Sequence, residues 1–455
     1  MVSDTIFAMS SGAGRAGIAV VRTSGPRAGE ALGAMLGGKG LPQPRRALLT
    51  AVVDPRDGIT IDRCLVLWFP APSSFTGEDV FELHLHGGRA VLDAALAALA
   101  AFPGLRPAEP GEFTRRAFDN GLLDLTAVEG LADLITAETE AQRRQALRQL
   151  EGGLSAKVQA WQTRLVKLLA EIEAWIDFPD EDLPENLVAG HAREVEKLAL
   201  EIEGALASGL SARRLREGVM IAIIGPPNAG KSSIINRLAK RDAAIVSEIA
   251  GTTRDVVEVH LSLSGFPVTV ADTAGLREAE AGELDPIERE GIRRSRDRAS
   301  SADFLLGVFD LRDFPELDRE TLGLLSEKSL VLLNKADLVS EPDASLLQWQ
   351  SGIAPETICI SAVSGAGFNA LEAALEKRLR AELSDALAAP GFSRLRHEQC
   401  LRDCVVALRR FDPRAEVELQ AEELRIALRT LGRLLGRVDV EDLLDVIFRD
   451  FCIGK

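Results

Sequence analysis

The chain has 455 residues and a net charge of −16 at pH 7, and 46% of its residues are apolar. This length suggests about three domains, and the negative charge argues against a protein that grips nucleic acid by broad electrostatic attraction. Five scattered cysteines form neither a disulfide framework nor a metal-ligand spacing, and no basic leader or long apolar run occurs, so we expect a cytoplasmic protein without a membrane span.

The first 120 residues alternate short apolar strands with turn-forming clusters, a pattern that predicts an α+β domain. We expect a helix and three strands there, the helix at 90–101 and the strands at 17–22, 61–68 and 79–86. His84 and His86 share one face of a strand, a spacing that metal ligands use, but no third ligand is apparent. Packing or hydrogen bonding to a ligand is therefore the favoured interpretation of the two histidines.

From about residue 121 the apolar residues recur at three- and four-residue spacing, which predicts helices. Thr126 to Glu129 has the pattern of a capping box at the start of the first of them. The helical pattern stops near residue 209 and resumes after Pro390. The simplest interpretation is one helical bundle interrupted by an inserted module, because insertion at an exposed loop is well tolerated.

The inserted module opens with a phosphate-binding loop. Residues 225–232 read GPPNAGKS directly after the apolar run 219–224. Glycines let backbone N–H groups surround phosphate oxygens, Lys231 supplies positive charge to the β and γ phosphates, and the Ser232 hydroxyl ligates Mg²⁺. The helix that starts at Lys231 adds its N-terminal dipole. This octet predicts that a nucleoside triphosphate binds here.

Three further motifs each end an apolar strand: DTAG from Asp272, NKAD from Asn334 and SA from Ser361. The carboxyl ends of parallel strands share one edge of a sheet, so these loops should converge on one crevice. The carboxylate of Asp337 can accept two hydrogen bonds from the N1-H and 2-amino edge of guanine, which adenine lacks. The sequence therefore predicts a GTPase module with a mostly parallel sheet.

Several segments outside the nucleotide motifs resemble one family. They are SFTGEDVFELHLHGG at 74–88, PGEFTRRAF at 110–118, IDFPDED at 176–182, AGTTRD at 250–255 and FCIGK at 451–455. With the phosphate loop, they resemble the tRNA-modification GTPase family of the MnmE/TrmE type over essentially the whole chain.

The resemblance implies a multidomain α/β protein: a folate-binding, dimerising α+β domain at 1–120, a helical domain in two halves at 121–215 and 381–455, and a P-loop GTPase domain inserted at 216–380. It implies a homodimer that joins an FAD-dependent partner subunit in a heterotetramer. Together they would add a carboxymethylaminomethyl or aminomethyl group to C5 of the wobble uridine, position 34, of certain tRNAs. The one-carbon unit would come from 5-formyltetrahydrofolate or a related tetrahydrofolate.

The resemblance and the motifs also assign residues. Those expected to contact GTP or its ions are Asn228, Ala229, Gly230, Lys231, Ser232, Ser233, Ser247, Glu248, Ile249, Ala250, Gly251, Thr252, Thr253, Asp272, Thr273, Ala274, Gly275, Asn334, Lys335, Asp337, Ser361, Ala362 and Val363. Those assigned to folate are Arg22, Glu82, Leu122 and Lys455, where Leu122 stands in place of a lysine that many relatives carry. Cys452 is assigned to the one-carbon chemistry, with packing of the chain end as the alternative.

Hydrolysis of GTP needs a group that orients the attacking water. Ras-like enzymes use a glutamine directly after the DxxG motif, where this chain has Leu276, which cannot form hydrogen bonds. Five acidic residues lie nearby, and the resemblance selects Glu288, with Glu290 as the alternative if the alignment slips.

No arginine finger is assignable, and the resemblance instead implies a potassium ion. Mg²⁺ is assigned to Ser232 and Thr253, and K⁺ is assigned to Asn228, Ser247, Ile249 and Thr252. A monovalent cation would neutralise developing charge much as a finger does. We therefore expect GTP turnover to rise with K⁺ as two GTPase domains meet.

Two other functions compete with this interpretation. A ribosome-assembly GTPase of the Era type would share the nucleotide motifs but should carry an RNA-binding module, which the acidic helical regions do not suggest. A folate-dependent aminomethyltransferase with a purely regulatory GTPase module is closer.

Overall fold

The computed structural model describes most of the chain. The described residues are 4–12, 14–177, 185–241, 258–272, 302–314, 316–326, 329–339, 356–389, 391–438, 444, 447–448, 451 and 454. Contacts divide the chain into two compact units. The first unit comprises Met1–Ala132, Gln149–Pro179 and Val417–Lys455, and the second comprises Asp133–Arg148 and Asp180–Glu416.

The first unit is built on a six-stranded sheet. Its strands are β1 (Thr5–Met9), β2 (Ala16–Ser24), β3 (Leu48–Val53), β4 (Thr60–Phe69), β5 (Val80–Gly87) and β6 (Leu105–Pro107), in the order β3-β4-β5-β2-β1-β6. All neighbours are antiparallel except β1 and β6. Alternate residues of β5, such as Phe81, Leu83 and Leu85, are fully buried against helices α1 (Ala28–Met35) and α2 (Arg89–Ala100). The predicted α+β domain is confirmed, and the ends of the three predicted strands shift by at most two residues.

Helices complete the first unit, and one predicted cap is wrong. The helices are α3 (Glu112–Asp119), α4 (Leu125–Thr136), which continues beyond the unit, α6 (Gly153–Asp177) and a later helix at Val417–Leu434. The Asp124 carboxylate accepts hydrogen bonds from the Ala127 amide, at 3.0 Å, and from the Thr126 hydroxyl, at 2.7 Å. Asp124 therefore caps α4, which begins one residue before Thr126, and the predicted capping box does not form.

The second unit contains the mostly parallel sheet. Its strands are β7 (Val219–Ile224), β8 (Glu258–Leu263), β9 (Phe266–Asp272), β10 (Phe304–Asp310), β11 (Leu330–Asn334) and β12 (Glu356–Cys359), in the order β12-β11-β10-β7-β9-β8. Only the pairing of β8 with β9 is antiparallel. The unit also contains α5 (Glu140–Leu150), α7 (Glu185–Ala207), α8 (Gly209–Glu217), α9 (Lys231–Arg241), α10 (Arg319–Leu324), α11 (Phe368–Glu382), α12 (Ser384–Ala388) and α13 (Leu395–Arg410). The helix at Val417–Leu434 is α14.

Helices on either side of the inserted sheet pack in pairs. In the first unit α6 packs on α14, and Arg425 forms an ion pair with Glu173 at 2.9 Å. In the second unit α7 packs on α13, where Arg409 pairs with Glu203 at 3.0 Å. The two helical segments thus meet in space despite the insertion, while the predicted domain boundaries stay a prediction. No helix among the described residues is long and apolar enough to cross a bilayer.

Candidate nucleotide site

The phosphate loop turns sharply between β7 and α9, and its glycines are required there. Gly225 and Gly230 adopt φ of 153° and 99°, values that favour glycine. A Cβ on Gly225 would collide with the Val308 carbonyl oxygen, and one on Gly230 would collide with the Asn334 side chain. The loop can therefore lie close to β10 and β11 only because both positions lack a side chain.

Lys231 and Ser232 open helix α9 beside this loop. The Lys231 ammonium donates hydrogen bonds to the carbonyl oxygens of Gly225, at 2.7 Å, and Pro226, at 2.9 Å. Ser232 and Ser233 are exposed in the first turn of the helix, where backbone N–H groups lack helical partners. An arriving phosphate would meet the ammonium, a hydroxyl and the positive end of the helix dipole together.

Asn334, at the end of β11, ties two distant loops together. Its amide nitrogen donates to the Ala229 carbonyl oxygen at 2.7 Å, and its carbonyl oxygen accepts from the Ala362 amide at 3.0 Å. The side chain is only 2% exposed. Asn334 therefore holds the phosphate loop and the loop after β12 at a set separation.

Asp337 and Ser361 meet beyond this clamp. The Ser361 hydroxyl donates to the Asp337 carboxylate and accepts from the Ser364 amide at 3.0 Å. Asp337 itself is exposed, and its hydrogen bond with Ser361 uses the Oδ1 atom. A carboxylate oriented by a hydroxyl is the acceptor that an N1-H and 2-amino edge needs.

These groups line one cavity of about 560 Å³, within the range of small-molecule sites. Its wall consists of Pro227, Asn228, Gly230, Lys231, Ser232, Ser233, Asn334, Lys335, Asp337, Leu338, Ala362 and Val363. The structure thus brings together the predicted residues from three strand ends, with Ala229 and Ser361 directly behind the wall. Asn228 adopts a left-handed backbone conformation, with φ of 61°, and its side chain makes no hydrogen bond within the described residues.

Asp310, at the end of β10, is a site residue that the sequence analysis missed. It is 5% exposed, and its carboxylate lies 2.8 Å from the Lys335 ammonium and accepts from the Arg312 backbone amide and guanidinium. The Arg312 guanidinium and then the Lys335 ammonium hold the pKa of Asp310 well below its ordinary value. Asp310 therefore positions Lys335, whose own φ is 65°. An aspartate directly after an apolar strand, as in the other motifs, was the available signal.

Part of the predicted site lies outside the described residues. This part comprises Ser247, Glu248, Ile249, Ala250, Gly251, Thr252, Thr253, Thr273, Ala274, Gly275, Glu288, Cys452 and Lys455. For Asp272 only the backbone is described, at the end of β9 opposite Ile223 of β7. The assignments of water activation and of the second Mg²⁺ ligand therefore stay predictions.

The residues assigned to folate fall on the sheet of the first unit. Arg22 of β2 lies opposite Glu82 of β5, and the guanidinium and carboxylate approach to 2.9 Å. The same guanidinium lies over the Phe75 ring at 5.4 Å, and His84 binds the other oxygen of Glu82 at 3.2 Å. Two guanidinium nitrogens of Arg22 contact the Oε1 atom of Glu82, whereas the Oε2 atom has the one contact with His84. Oε2 therefore keeps a lone pair that fits an N–H group of a ligand.

Leu122 lies near this cluster but contributes no polar group. It is 47% exposed, and a Cβ on Gly77 would stand 3.2 Å from its Cδ1 atom. Leu122 therefore covers the turn beside Phe75 and offers apolar contact only. His86 pairs with Asp62 at 2.9 Å, separately from His84, and no metal-binding group of three is found among the described residues.

Two family models match this chain. One described as the MnmE helical domain matches residues 125–452, and one described as the GTP-binding protein TrmE N-terminus matches residues 5–122. A Paramagnetospirillum magneticum protein named tRNA modification GTPase MnmE is 53% identical over 454 residues, covering 100% of both chains. A Parvibaculum lavamentivorans protein of the same name is 53% identical over 462 residues, covering 99% of this chain and 100% of the relative. The human mitochondrial 5-taurinomethyluridine-[tRNA] synthase subunit GTPB3 is 46% identical over 470 residues, covering 99% of this chain and 93% of the relative.

Proposed function

The chain belongs to the MnmE/TrmE family of tRNA-modification GTPases, and we propose that it hydrolyses GTP to drive modification of C5 of the wobble uridine in tRNA together with a flavin-dependent partner. The observation that carries the nucleotide part is the Asn334 clamp, which holds the phosphate loop against the loop that presents Ser361. The full-length relatives leave the ribosome-assembly alternative without support.

Guanine selectivity would come from Asp337. Its carboxylate, oriented by the Ser361 hydroxyl, accepts hydrogen bonds from the N1-H and 2-amino groups of guanine. Adenine lacks both donors at these positions, so the carboxylate of Asp337 would gain no hydrogen bond from the base of ATP. Lys335, held by Asp310, would lie along the base next to this carboxylate.

Phosphate binding and charge neutralisation would come from the opposite end of the cavity. Lys231 would exchange its loop carbonyl partners for phosphate oxygens, a stronger charge-assisted bond. Ser232 fits a Mg²⁺ ligand because its exposed hydroxyl sits in the first turn of α9. Asn228 supplies an uncommitted side-chain oxygen at the cavity wall, which fits a K⁺ ligand, and Glu288 stays the proposed water-orienting residue.

The modification itself would use the first unit and further proteins. Arg22 and Glu82 fit the carboxylate and N–H groups of a tetrahydrofolate derivative, which would supply the one-carbon unit. We propose a homodimer that assembles with the flavin-dependent subunit, in the cytoplasm, with Cys452 and Lys455 near the folate. These assignments rest on the family and on the chemistry of the residues.

Two experiments test the proposal. GTP hydrolysis should rise several-fold when KCl replaces NaCl, and Asn228→Ala should abolish that rise while Asn236→Ala, on the exposed face of α9, should retain it. Equal rates in the two salts would refute the potassium site. Mass spectrometry of wobble-uridine nucleosides after gene deletion tests the tRNA function, and an unchanged modification level would overturn it.

A further inference from the structure

A second cavity, of about 230 Å³, lies in the second unit away from the nucleotide site. It is enclosed by the end of α7, by α8 and by the start of α13. A Cβ on Gly209 would stand 2.9 Å from the Phe392 carbonyl oxygen, so glycine permits the close approach of α8 to this segment. The Phe392 ring packs edge-on against His397, with centroids 5.9 Å apart, which holds the segment before α13 in place.

The cavity wall is basic in a chain that is acidic overall. Arg213, Arg394 and Arg402 contribute three positive charges. Glu398 in the same wall and Asp133, which pairs with Arg394 at 2.7 Å, contribute two negative charges, which leaves a local balance of +1. Arg402 is paired with Glu398 at 2.7 Å. The whole chain carries −16, so this concentration of arginine is not a consequence of composition.

Arg213 is the cation in this wall that lacks a counterion. It is half-buried, yet it forms neither a hydrogen bond nor an ion pair with any residue in the described part of the chain. Its neighbour Arg214, by contrast, is paired with Asp303 and Glu382. A half-buried guanidinium that pairs with no acid is costly unless another anion reaches it.

Three more features of this wall fit a phosphate ester. Ser393, in the same wall, is 1% exposed, and its hydroxyl has no hydrogen-bond partner within the described residues. Arg394 precedes α13 without capping it by a side-chain bond, so the positive end of a sixteen-residue helix faces this region uncapped. Leu206, Leu210 and Phe392 add apolar wall beside the arginines, which suits a sugar or base attached to the phosphate.

We propose that this arginine cavity binds a backbone phosphate of the tRNA substrate together with the adjoining nucleoside. This inference rests on the proposed tRNA function and adds a contact site to it. Guanidinium groups bind phosphate through paired N–H donors, and phosphate contacts position a nucleic acid without reading its sequence. A localised site of this kind lets an acidic protein hold RNA without a broad basic surface.

The test measures the affinity of the full-length protein for a tRNA transcript at several salt concentrations, with and without the flavin-dependent partner. Arg213→Ala should weaken tRNA binding roughly fivefold. It should also reduce the slope of log affinity against log salt concentration by about one, the value expected for one lost phosphate contact. Arg213→Lys should restore part of the affinity. Arg410→Ala, on the exposed face of α13 outside the cavity, removes the same charge and should leave binding unchanged.

Several outcomes would overturn the inference. Binding by Arg213→Ala that equals wild type, weaker binding with an unaltered salt dependence, or an equal loss in Arg410→Ala would each exclude a phosphate contact in the cavity. The inference would also fail if the wild-type protein bound no tRNA either with or without the flavin-dependent partner. Inorganic phosphate and GMP serve as competing ligands. If Arg213→Ala weakens the binding of these small anions but leaves tRNA binding unchanged, the cavity holds a small anion instead.

The two proposals fail in different ways. Suppose that gene deletion abolishes wobble-uridine modification. If the Arg213→Ala protein, supplied to the deletion strain, restores the modification fully and binds tRNA normally, the tRNA contact in the arginine cavity is excluded and the tRNA function stands. If deletion leaves the modification unchanged, the proposed function itself fails. GTP hydrolysis by Arg213→Ala should match wild type in either case, because Arg213 is not part of the nucleotide cavity wall.

Discussion

The phosphate end of the nucleotide cavity and the Arg22–Glu82 cluster hold their polar side chains in opposite ways. In the nucleotide cavity, Lys231 binds carbonyl oxygens of its own loop, and Asn334 binds backbone groups of two neighbouring loops. On the sheet of the first unit, Arg22 and Glu82 bind each other. Backbone partners keep a site open and in place before the ligand arrives, whereas a side-chain ion pair must be shared with the ligand or broken by it.

This difference predicts how each site responds to substitution. Loss of Lys231 should mainly impair ligand binding or turnover, because its loop keeps its other hydrogen bonds, whereas loss of the buried Asn334 should impair both ligand binding and stability. Loss of one member of an ion pair leaves the other half-buried charge unpaired, so folding stability should fall as well. The predictions below run from the largest expected effect to the smallest.

Lys231→Ala should lower the rate of GTP hydrolysis about 100-fold or more, because it removes the charge that meets the β and γ phosphates. Stability should change little, since the hydrogen bonds that the ammonium donates to the Gly225 and Pro226 carbonyl oxygens lie within its own loop. Steady-state phosphate release measures the rate. Lys240→Ala, exposed near the end of the same helix, is the control, and a rate for Lys231→Ala within twofold of it would contradict the model of the site.

Asn334→Ala should weaken GTP binding at least about tenfold and destabilise the second unit by about 2 kcal/mol. The substitution leaves the Ala229 carbonyl and the Ala362 amide without their buried partner. Nucleotide titration and urea unfolding measure the two effects. If affinity and unfolding midpoint both match wild type, the clamp does not hold the loops together.

Arg22→Ala should destabilise the first unit by about 1 to 3 kcal/mol, because the half-buried Glu82 carboxylate loses its cation. It should also weaken binding of a tetrahydrofolate ligand. Arg89→Ala breaks only an exposed pair with Asp93 at 3.6 Å and should cost less than about 0.5 kcal/mol. Equal unfolding midpoints for the two variants would show that the Arg22–Glu82 pair gives no net stabilisation.

Asp310→Asn should destabilise the second unit by about 1 kcal/mol at neutral pH. The pKa of Asp310 lies below its ordinary value of 3.8 in the folded protein, so the ionised carboxylate stabilises the fold above that value. The difference between wild type and variant should therefore shrink as pH falls from about 5 through 3.8 and below. Urea unfolding near pH 7 and near pH 3 measures this difference, and a difference that stays constant would show that the ionised Asp310 carboxylate does not stabilise the fold.

The nucleotide-binding residues were more predictable from the sequence than the side chains that hold them in position. The glycines, Lys231, Asn334 and Asp337 were identified because phosphate and guanine recognition demand those residue types at short, regular spacing. Asp310 was missed although it follows a buried strand, since no motif spacing links it to Lys335. The cap of α4 was misassigned because Asp124 and Thr126 both carry oxygens that can cap, and only the chain path shows which one does.

The sequence by itself determined the nucleotide chemistry, the strand–loop–helix order and the family, because these depend on residues close together in the chain. Tertiary structure decided everything that depends on register or on packing between distant segments. It placed Arg22 opposite Glu82, joined Asn334 to both Ala229 and Ala362, and left Arg213 without an ion pair among the residues it describes. Such pairings depend on how strands align and helices pack, and residue spacing along the chain does not encode those distances.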